Sequence, residues 1–263
     1  MSDCTPMHTR SAHNAYLRLL SYNIQVGISS RAYHDYLRNS WKHVLPSRER
    51  SGNLDRIAAA MSGYDIVGLQ EVDAGSLRSQ YINQTEYLAL RAGMPFWRHQ
   101  TNRDFGHLAK HSLGLVARYT PYVVEHHALP GIVPGRGVML AYFGCGKARL
   151  AVAVMHLALG RGARFKQMAF VAELLRDESH AVLMGDFNCL PHSPELRMLQ
   201  ERSGLRLPEQ ELHTFPSWQP NRMIDYILLS PSLRIHKAEV LPLSHSDHLP
   251  LAVEIECPLG LRL

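Results

Sequence analysis

Apolar residues recur along this chain in short runs, and most of the runs stop at a polar group. Leu17–Ile24 reads as a buried strand, followed by a polar segment from Gly27 to Gly52. Asn53 is placed to cap a helix whose apolar positions Leu54, Ile57, Ala58 and Met61 keep the i, i+3, i+4, i+7 spacing of one helical face, and Gly63 ends it. Asp65–Leu69 and Ser112–Tyr119 read as further strands. Gly137–Phe143 and Arg149–Met155 read as a hairpin around Gly144-Cys145-Gly146. In the second arm both faces are apolar, which predicts a strand buried between layers. A helix over 164–176 would align Phe165, Met168, Ala169, Ala172 and Leu175 on one stripe. Ala181–Met184, Ile224–Leu229 and Leu251–Ile255 complete the predicted strands, and Ser193-Pro194-Glu195 offers an N-cap, a proline at N1 and an acid in the first turn of a short helix. Hairpins mixed with a few helices predict a single layered α/β domain with sheets face to face and helices outside.

Six polar motifs stand at the ends of these runs: Ser21-Tyr22-Asn23, Gln70-Glu71, His156, Gly185-Asp186-Phe187-Asn188, Asp225-Tyr226 and Ser246-Asp247-His248. Carboxylates, carboxamides and imidazoles are costly near a core unless paired or bound to something. Six such groups at strand ends predict one shared pocket. Taken singly, Glu71 reads equally as a cap or a surface charge, Asn23 as a loop-fixing hydrogen bonder, and His156 as an ordinary strand-end histidine. Asp186 and Asn188 carry more, because positions i and i+2 of a strand share a face. A carboxylate and a carboxamide there can hold a water between them; the other reading is an Asx turn. Asp247 supplies an oxygen ligand, His248 a cationic contact for a phosphate oxygen, and Asp225 a carboxylate to orient the imidazole. Oxygen donors without a cysteine cluster favour Mg²⁺ or Mn²⁺ over Zn²⁺, and Glu71 with Asp247, near Asn23, meets the need of such an ion for one or two carboxylates.

Bulk properties narrow the partners. The 263 residues are 46% hydrophobic, enough for a sizeable core. No run of about 18 apolar residues occurs, which argues against a spanning helix. The first 20 residues do not read as a signal peptide. Cys4, Cys145, Cys189 and Cys257 form no CxxC pair, so a reduced cytoplasm is expected. Net charge is +5, and the excess gathers in residues 91–118, where Arg91, Arg98, Arg103, Lys110 and Arg118 face only Asp104 and aromatic Phe96, Trp97 and Phe105 are interleaved. Such a segment suits nucleic acid or a phospholipid head group; the alternative is a solvated surface stretch.

In order, the motifs resemble the endonuclease/exonuclease/phosphatase superfamily, the DNase I-like proteins, from Leu17 to Ile255, with Ser112–Arg118 and Thr214-Phe215-Pro216-Ser217 as supporting stretches. The resemblance implies a four-layer α/β sandwich of two mainly antiparallel sheets, with the site at one edge of both. It also implies roles: Glu71 as main metal ligand with Asn23 and Asp247, Asp186 positioning or deprotonating the attacking water with Asn188 beside it, His248 contacting the phosphate and oriented by Asp225, and His156 as a second histidine. Arg103, His107, Arg136 and Arg222 are expected substrate contacts. The second histidine of the deoxyribonuclease branch pairs with a glutamate, and none stands near Lys110-His111-Ser112. Gln70-Glu71-Val72-Asp73 departs from the Gln-Glu-Thr-Lys of the abasic-site branch. The expected organisation is an N-terminal extension (1–16), one domain (17–257) with an insert at 30–51 that is either a substrate-covering loop or a surface insertion, and a tail (258–263). The expected activity is Mg²⁺- or Mn²⁺-dependent phosphodiester hydrolysis of DNA or RNA by a cytoplasmic monomer. Phospholipid, sphingolipid or small-molecule phosphate hydrolysis is the alternative, and a non-catalytic nucleic-acid-binding protein is the alternative of another class.

Overall fold

The computed structural model describes residues 16–27, 48–104, 106, 108, 110–131, 135–257, 260, 261 and 263. Two sheets face each other. The first runs β10 (Ile235–Val240), β11 (Leu251–Glu256), β1 (Tyr16–Asn23), β2 (Ile66–Asp73), β4 (Lys110–Ala117) and β3 (Phe96–Asp104); the second runs β5 (Val123–Ala128), β6 (Gly137–Phe143), β7 (Leu150–His156), β8 (Ala181–Asp186) and β9 (Asp225–Leu229). Each sheet is antiparallel except for one parallel pair, β1 with β2 and β7 with β8. Parallel neighbours need a crossover. Here it is α1 (Arg48–Met61) in the first case and α3 (Arg161–Leu175) in the second. α2 (Gln84–Ala92) and α4 (Pro194–Ser203) follow β2 and β8.

Period-two alternation sorts the side chains into layers. Leu17, Leu19 and Ile66 join the cluster between the sheets, while Leu20, Tyr22, Val67 and Leu69 pack outward with Ile57, Met61 and Leu88 of α1 and α2. Met168, Val171, Leu175, Leu196 and Leu199 of α3 and α4 cover the second sheet. The result is helix, sheet, sheet, helix. The layers pack tightly at Gly68, where a Cβ would meet Met184 Sδ at 2.7 Å and Val154 at 3.0 Å.

The sequence reading departs from this structure in several places. α1 begins at Arg48, so Asn53 is inside the helix and not its cap. Its buried amide instead ties α1 to the carbonyls of Gly27 (3.1 Å) and His245 (2.6 Å). The helical residues 48–51 belong to α1, not to an insert loop, and the rest of the 30–51 segment, 30–47, lies outside the described residues, as do 1–15. On α3 the buried stripe is Met168, Val171, Ala172 and Leu175, with Phe165 and Ala169 only half-buried. β3, β5, β10 and α2 lie outside the predicted elements. The three strands are outer strands with mixed polar sequences, and an edge strand loses the apolar signature of a central one. The basic, aromatic segment 91–118 is largely the β3–β4 hairpin. Among the described residues no helix is long and apolar enough to cross a membrane.

Candidate active site

The apolar interior between the sheets turns polar at one edge. On β1 the inward series Leu17, Leu19 continues into Ser21 and Asn23; on β8 Met184, which faces Gly68, is followed two residues on by Asp186; on β7 Val154 is followed by His156. The registers bring these ends together. His156 pairs with Asp186 across β7 and β8, Asp186 with Asp225 across β8 and β9, and Asn23 with Gln70 across β1 and β2.

Glu71 reaches the site by a break in alternation. Gln70 already occupies the inward position and donates to Ser21 Oγ at 3.4 Å. Regular pleating would send Glu71 outward. The register of β2 against β4 slips between Leu69 and Val72, and Glu71 takes a left-handed φ of 56°. That bulge turns its carboxylate back, where Asn23 Nδ2 donates to Glu71 Oε1 at 3.3 Å and to Asp186 Oδ2 at 3.1 Å. A bulge re-aims the side chain at a local conformational cost of about 1–3 kcal/mol.

A second device acts at Gly185. Its φ is +147°, and a Cβ there would overlap the Met155 carbonyl oxygen. Only glycine lets β8 press against β7 at the point where Asp186 emerges. Asn188 does not share a strand face with Asp186, because β8 ends at Asp186 and Asn188 is left-handed, φ 52°. Its backbone N–H donates to Asp186 Oδ1 (2.9 Å) and its side-chain amide to the Leu157 carbonyl (3.0 Å), so it fixes the carboxylate and the loop after β7 together.

Opposite these, Asp225 Oδ2 accepts from Thr214 Oγ1 at 2.5 Å and lies 2.8 Å from His248 Nδ1. The other ring nitrogen, His248 Nε2, is 3.9 Å from Asp186 Oδ2, and His156 Nε2 is 3.4 Å from the same oxygen and 4.0 Å from Glu71 Oε1. Ser246 Oγ donates to Asp247 Oδ1 at 3.1 Å, and Ser217 holds the Ser246 and Asp247 carbonyls at 2.6 and 2.8 Å. Thr214, Ser217 and Ser246 thus position the ionisable groups. Their hydroxyls carry no local signal of that role, although Thr214 to Ser217 stands out as a stretch.

Burial and charge set the protonation pattern. Burial, then the Asp225 and Glu71 charges, push Asp186 up to about 7 against the opposing pull of His248. Burial and Glu71 likewise raise Asp247 to about 6. Burial alone would lower His248, but Asp225, by charge and hydrogen bond, with Asp186 and Asp247, holds it up at about 10. His156 is driven well below the ordinary histidine range by burial and by Arg136, His248 and His111. One imidazole is therefore cationic at neutral pH and the other neutral.

Donor atoms of Asp186, Asp225 and His248 all lie within 4.8 Å of one another, close enough to hold a metal ion. Asp225 Oδ2 and His248 Nδ1 are already paired, whereas the buried Asp225 Oδ1 has no hydrogen-bond partner among the described residues. The expected ligands Asn23, Glu71 and Asp247 flank the open side, with the Glu71 side chain 30% exposed.

A cavity of about 730 Å³ opens beside Glu71 and His156. Arg103 and Arg136 line it, joined by two residues that sequence reading did not single out for the site, His111 and Lys166. Arg222 is elsewhere, over the Phe215 ring at 5.7 Å, and that ring tilts against His248 with centroids 4.9 Å apart. His107 lies outside the described residues.

Comparison with known proteins identifies the family and agrees with the fold. The sequence model of the Endonuclease/Exonuclease/phosphatase family matches residues 20–248. No curated protein sequence matches significantly. Among solved structures, an endonuclease/exonuclease/phosphatase from Beutenbergia cavernae superposes with a TM-score of 0.71 at 19% identity, over 93% of this chain and 72% of that one. The human Nocturnin catalytic domain gives 0.67 at 17% identity, over 92% and 94%. Danio rerio TDP2, complexed with single-strand DNA product, gives 0.64 at 16% identity, over 92% and 99%.

Proposed function

Because the chain belongs to the endonuclease/exonuclease/phosphatase family and is therefore a phosphoric ester hydrolase, we propose that it is a Mg²⁺- or Mn²⁺-dependent phosphodiesterase acting on nucleic acid as a cytoplasmic monomer. The observation that carries this reading is the convergence of Asn23, Glu71, His156, Asp186, Asp225, Asp247 and His248 at one edge of the two sheets.

A divalent cation suits the donor set. Glu71 adds to the cost of ionising buried Asp247, and a cation held by these carboxylates would relieve it. Rotation of the Asn23 amide would turn an oxygen toward the same point. When bound, the ion would polarise a phosphoryl oxygen as a Lewis acid.

The remaining work falls to side chains. Asp186 is the base: its Oδ1 is held by the Asn188 N–H, which leaves Oδ2, amid Asn23, His156 and His248, to orient water and accept its proton. His248, kept cationic by Asp225, offsets the charge that grows on the phosphoryl oxygens, and neutral His156 donates a hydrogen bond to them. Arg103 and Arg136 beside the site favour a polyanionic substrate. The DNA held by the zebrafish TDP2 structure supports the nucleic-acid choice.

The test is a panel of plasmid, single-stranded DNA, RNA, sphingomyelin vesicles and bis-p-nitrophenyl phosphate with Mg²⁺ or Mn²⁺. Cleavage of the nucleic acids that vanishes in Asp186→Asn protein is expected. Turnover of vesicles without nicking of plasmid would overturn the substrate assignment.

A further inference from the structure

The cavity beside Glu71 and His156 lies to one side of the groups assigned above to the attack on phosphorus. Asp186, Asp225 and His248 do not line it; only Glu71 and His156 belong to both. Whatever fills it is the part of the substrate next to the scissile phosphate. Its volume of about 730 Å³ falls within the range of small-molecule sites, roughly 300–1,000 Å³.

Its walls are mixed. Gly160, Gly162 and Ala163 at the start of α3 leave room, and Leu113 and Leu159 offer apolar surface. The segment between β7 and α3 is held from beneath. Gln167 Oε1 accepts the Ala158 N–H at 2.9 Å, and Arg164 donates to the Leu159 carbonyl while buried Glu195 grips its guanidinium at 2.8 and 3.0 Å. This wall is therefore preformed.

Charge is the decisive feature. Arg103, Arg136 and Lys166 line the cavity, and Glu71 is the sole carboxylate among the described residues that do. Arg136 is half-buried; its carbonyl accepts the Leu129 N–H at 2.9 Å, while its guanidinium makes no hydrogen bond or ion pair among the described residues. Its guanidinium lies near enough to Glu71 and Asp186 to feel both charges. Gly135, with φ +103°, lets the Arg103 stem lie against the backbone next to Arg136, since a Cβ there would meet Arg103 Cβ at 3.1 Å. A half-buried guanidinium that lies close to carboxylates without bonding to them among the described residues keeps its N–H donors for an anion that enters the cavity.

We propose that this cavity is a subsite for a second phosphate of the substrate, one ester unit removed from the phosphorus under attack, and that Arg136 reads its charge. The proposal rests on the phosphodiesterase reading above. It narrows the substrate to a multiply phosphorylated ester, with the carbon skeleton between the phosphates against Leu113 and Leu159.

The experiment compares the p-nitrophenyl ester of thymidine 5′-phosphate with the same ester carrying a 3′-phosphate. In wild-type protein the second phosphate should raise kcat/KM about 10- to 100-fold, as charge-assisted hydrogen bonds do. Arg136→Ala should bring that ratio close to one, and Arg136→Lys should retain part of it. Calorimetric titration gives a readout independent of turnover: thymidine 3′,5′-bisphosphate should bind more tightly than the 5′-monophosphate, and only in protein that keeps Arg136. Inositol 1,4-bisphosphate against inositol 1-phosphate tells a polyol source from a nucleotide one; a preference in either pair supports the subsite. Equal affinity for mono- and bisphosphates in wild type, or a ratio unchanged by Arg136→Ala, would overturn it. Loss of all ester hydrolysis with the bisphosphate preference in binding intact would fault the hydrolase reading and leave the subsite standing.

Discussion

The two parallel strand pairs make an instructive comparison. β1-α1-β2 and β7-α3-β8 are built alike: each joins neighbouring strands through a helix on the outer face, and each brings two polar residues to the same edge, Asn23 with Glu71 and His156 with Asp186. They differ in how the ends are delivered. In the second pair the register is regular, both residues are buried, and a glycine brings β8 against β7. In the first pair the register is also regular as far as Asn23 and Gln70, but a bulge of β2 against β4 turns the next residue, Glu71, around, and its carboxylate stays partly open to solvent. The closed pair suits water positioning and proton transfer, which need a fixed geometry. The open one suits an exchangeable ion. A repeated topology thus supplies two kinds of chemistry through one register slip.

The largest effect that can test this contrast is catalytic. Asp186→Asn should lower kcat about 10²- to 10⁴-fold at every metal concentration. Glu71→Gln should lose a comparable amount at low Mg²⁺ and recover part of it as Mg²⁺ is raised. If metal titration rescues both or neither, the two pairs do not divide the work as described.

Stability gives the next. Gly185→Ala combines a left-handed φ with an overlap against backbone that cannot move, so urea unfolding should show a loss of about 3 kcal/mol or more. Gly68→Ala meets the flexible end of Met184 and should lose about 1–3 kcal/mol. A greater loss at Gly68 would reverse the assignment of which pair is the more rigid.

The smallest is a pH shift. With Asp186 at about 7 as base and His248 at about 10 as cation, kcat/KM should rise as pH climbs through the first value and fall through the second. Asp225→Asn removes the largest charge that raises His248, so the alkaline limb should move down by about one to three pH units. An alkaline limb that stays in place would mean that it belongs to another group.

Much of this was legible before the structure. Central strands announced themselves because both faces are buried, as in β7 and β8. Edge strands did not: β3 reads Phe-Trp-Arg-His-Gln-Thr-Asn-Arg-Asp, a mixture that only pairing with β4 makes a strand. α2 carries its own end signals, an N-cap residue Asn83, which accepts from the Thr85 and Glu86 N–H, and Gly93, left-handed at its end. The arginines divide in the same way. Arg103 and Arg136 meet although 33 positions separate them, because β3 and the segment before β6 border one cavity, while Arg222 stacks on Phe215 instead.

By itself, then, the sequence determined which residues could do chemistry. Apolar runs ending in carboxylates, amides and imidazoles require a shared polar edge, because none of these groups can be buried alone. Only the tertiary structure decided how each one is presented. Whether Glu71 faces in or out depends on a slip against β4, whether His248 is charged depends on Asp225 lying 2.8 Å away, and whether Arg136 finds a partner depends on which chains surround it. Direction, charge state and partnership arise from distances between residues far apart in the chain, and local pattern carries no record of those distances.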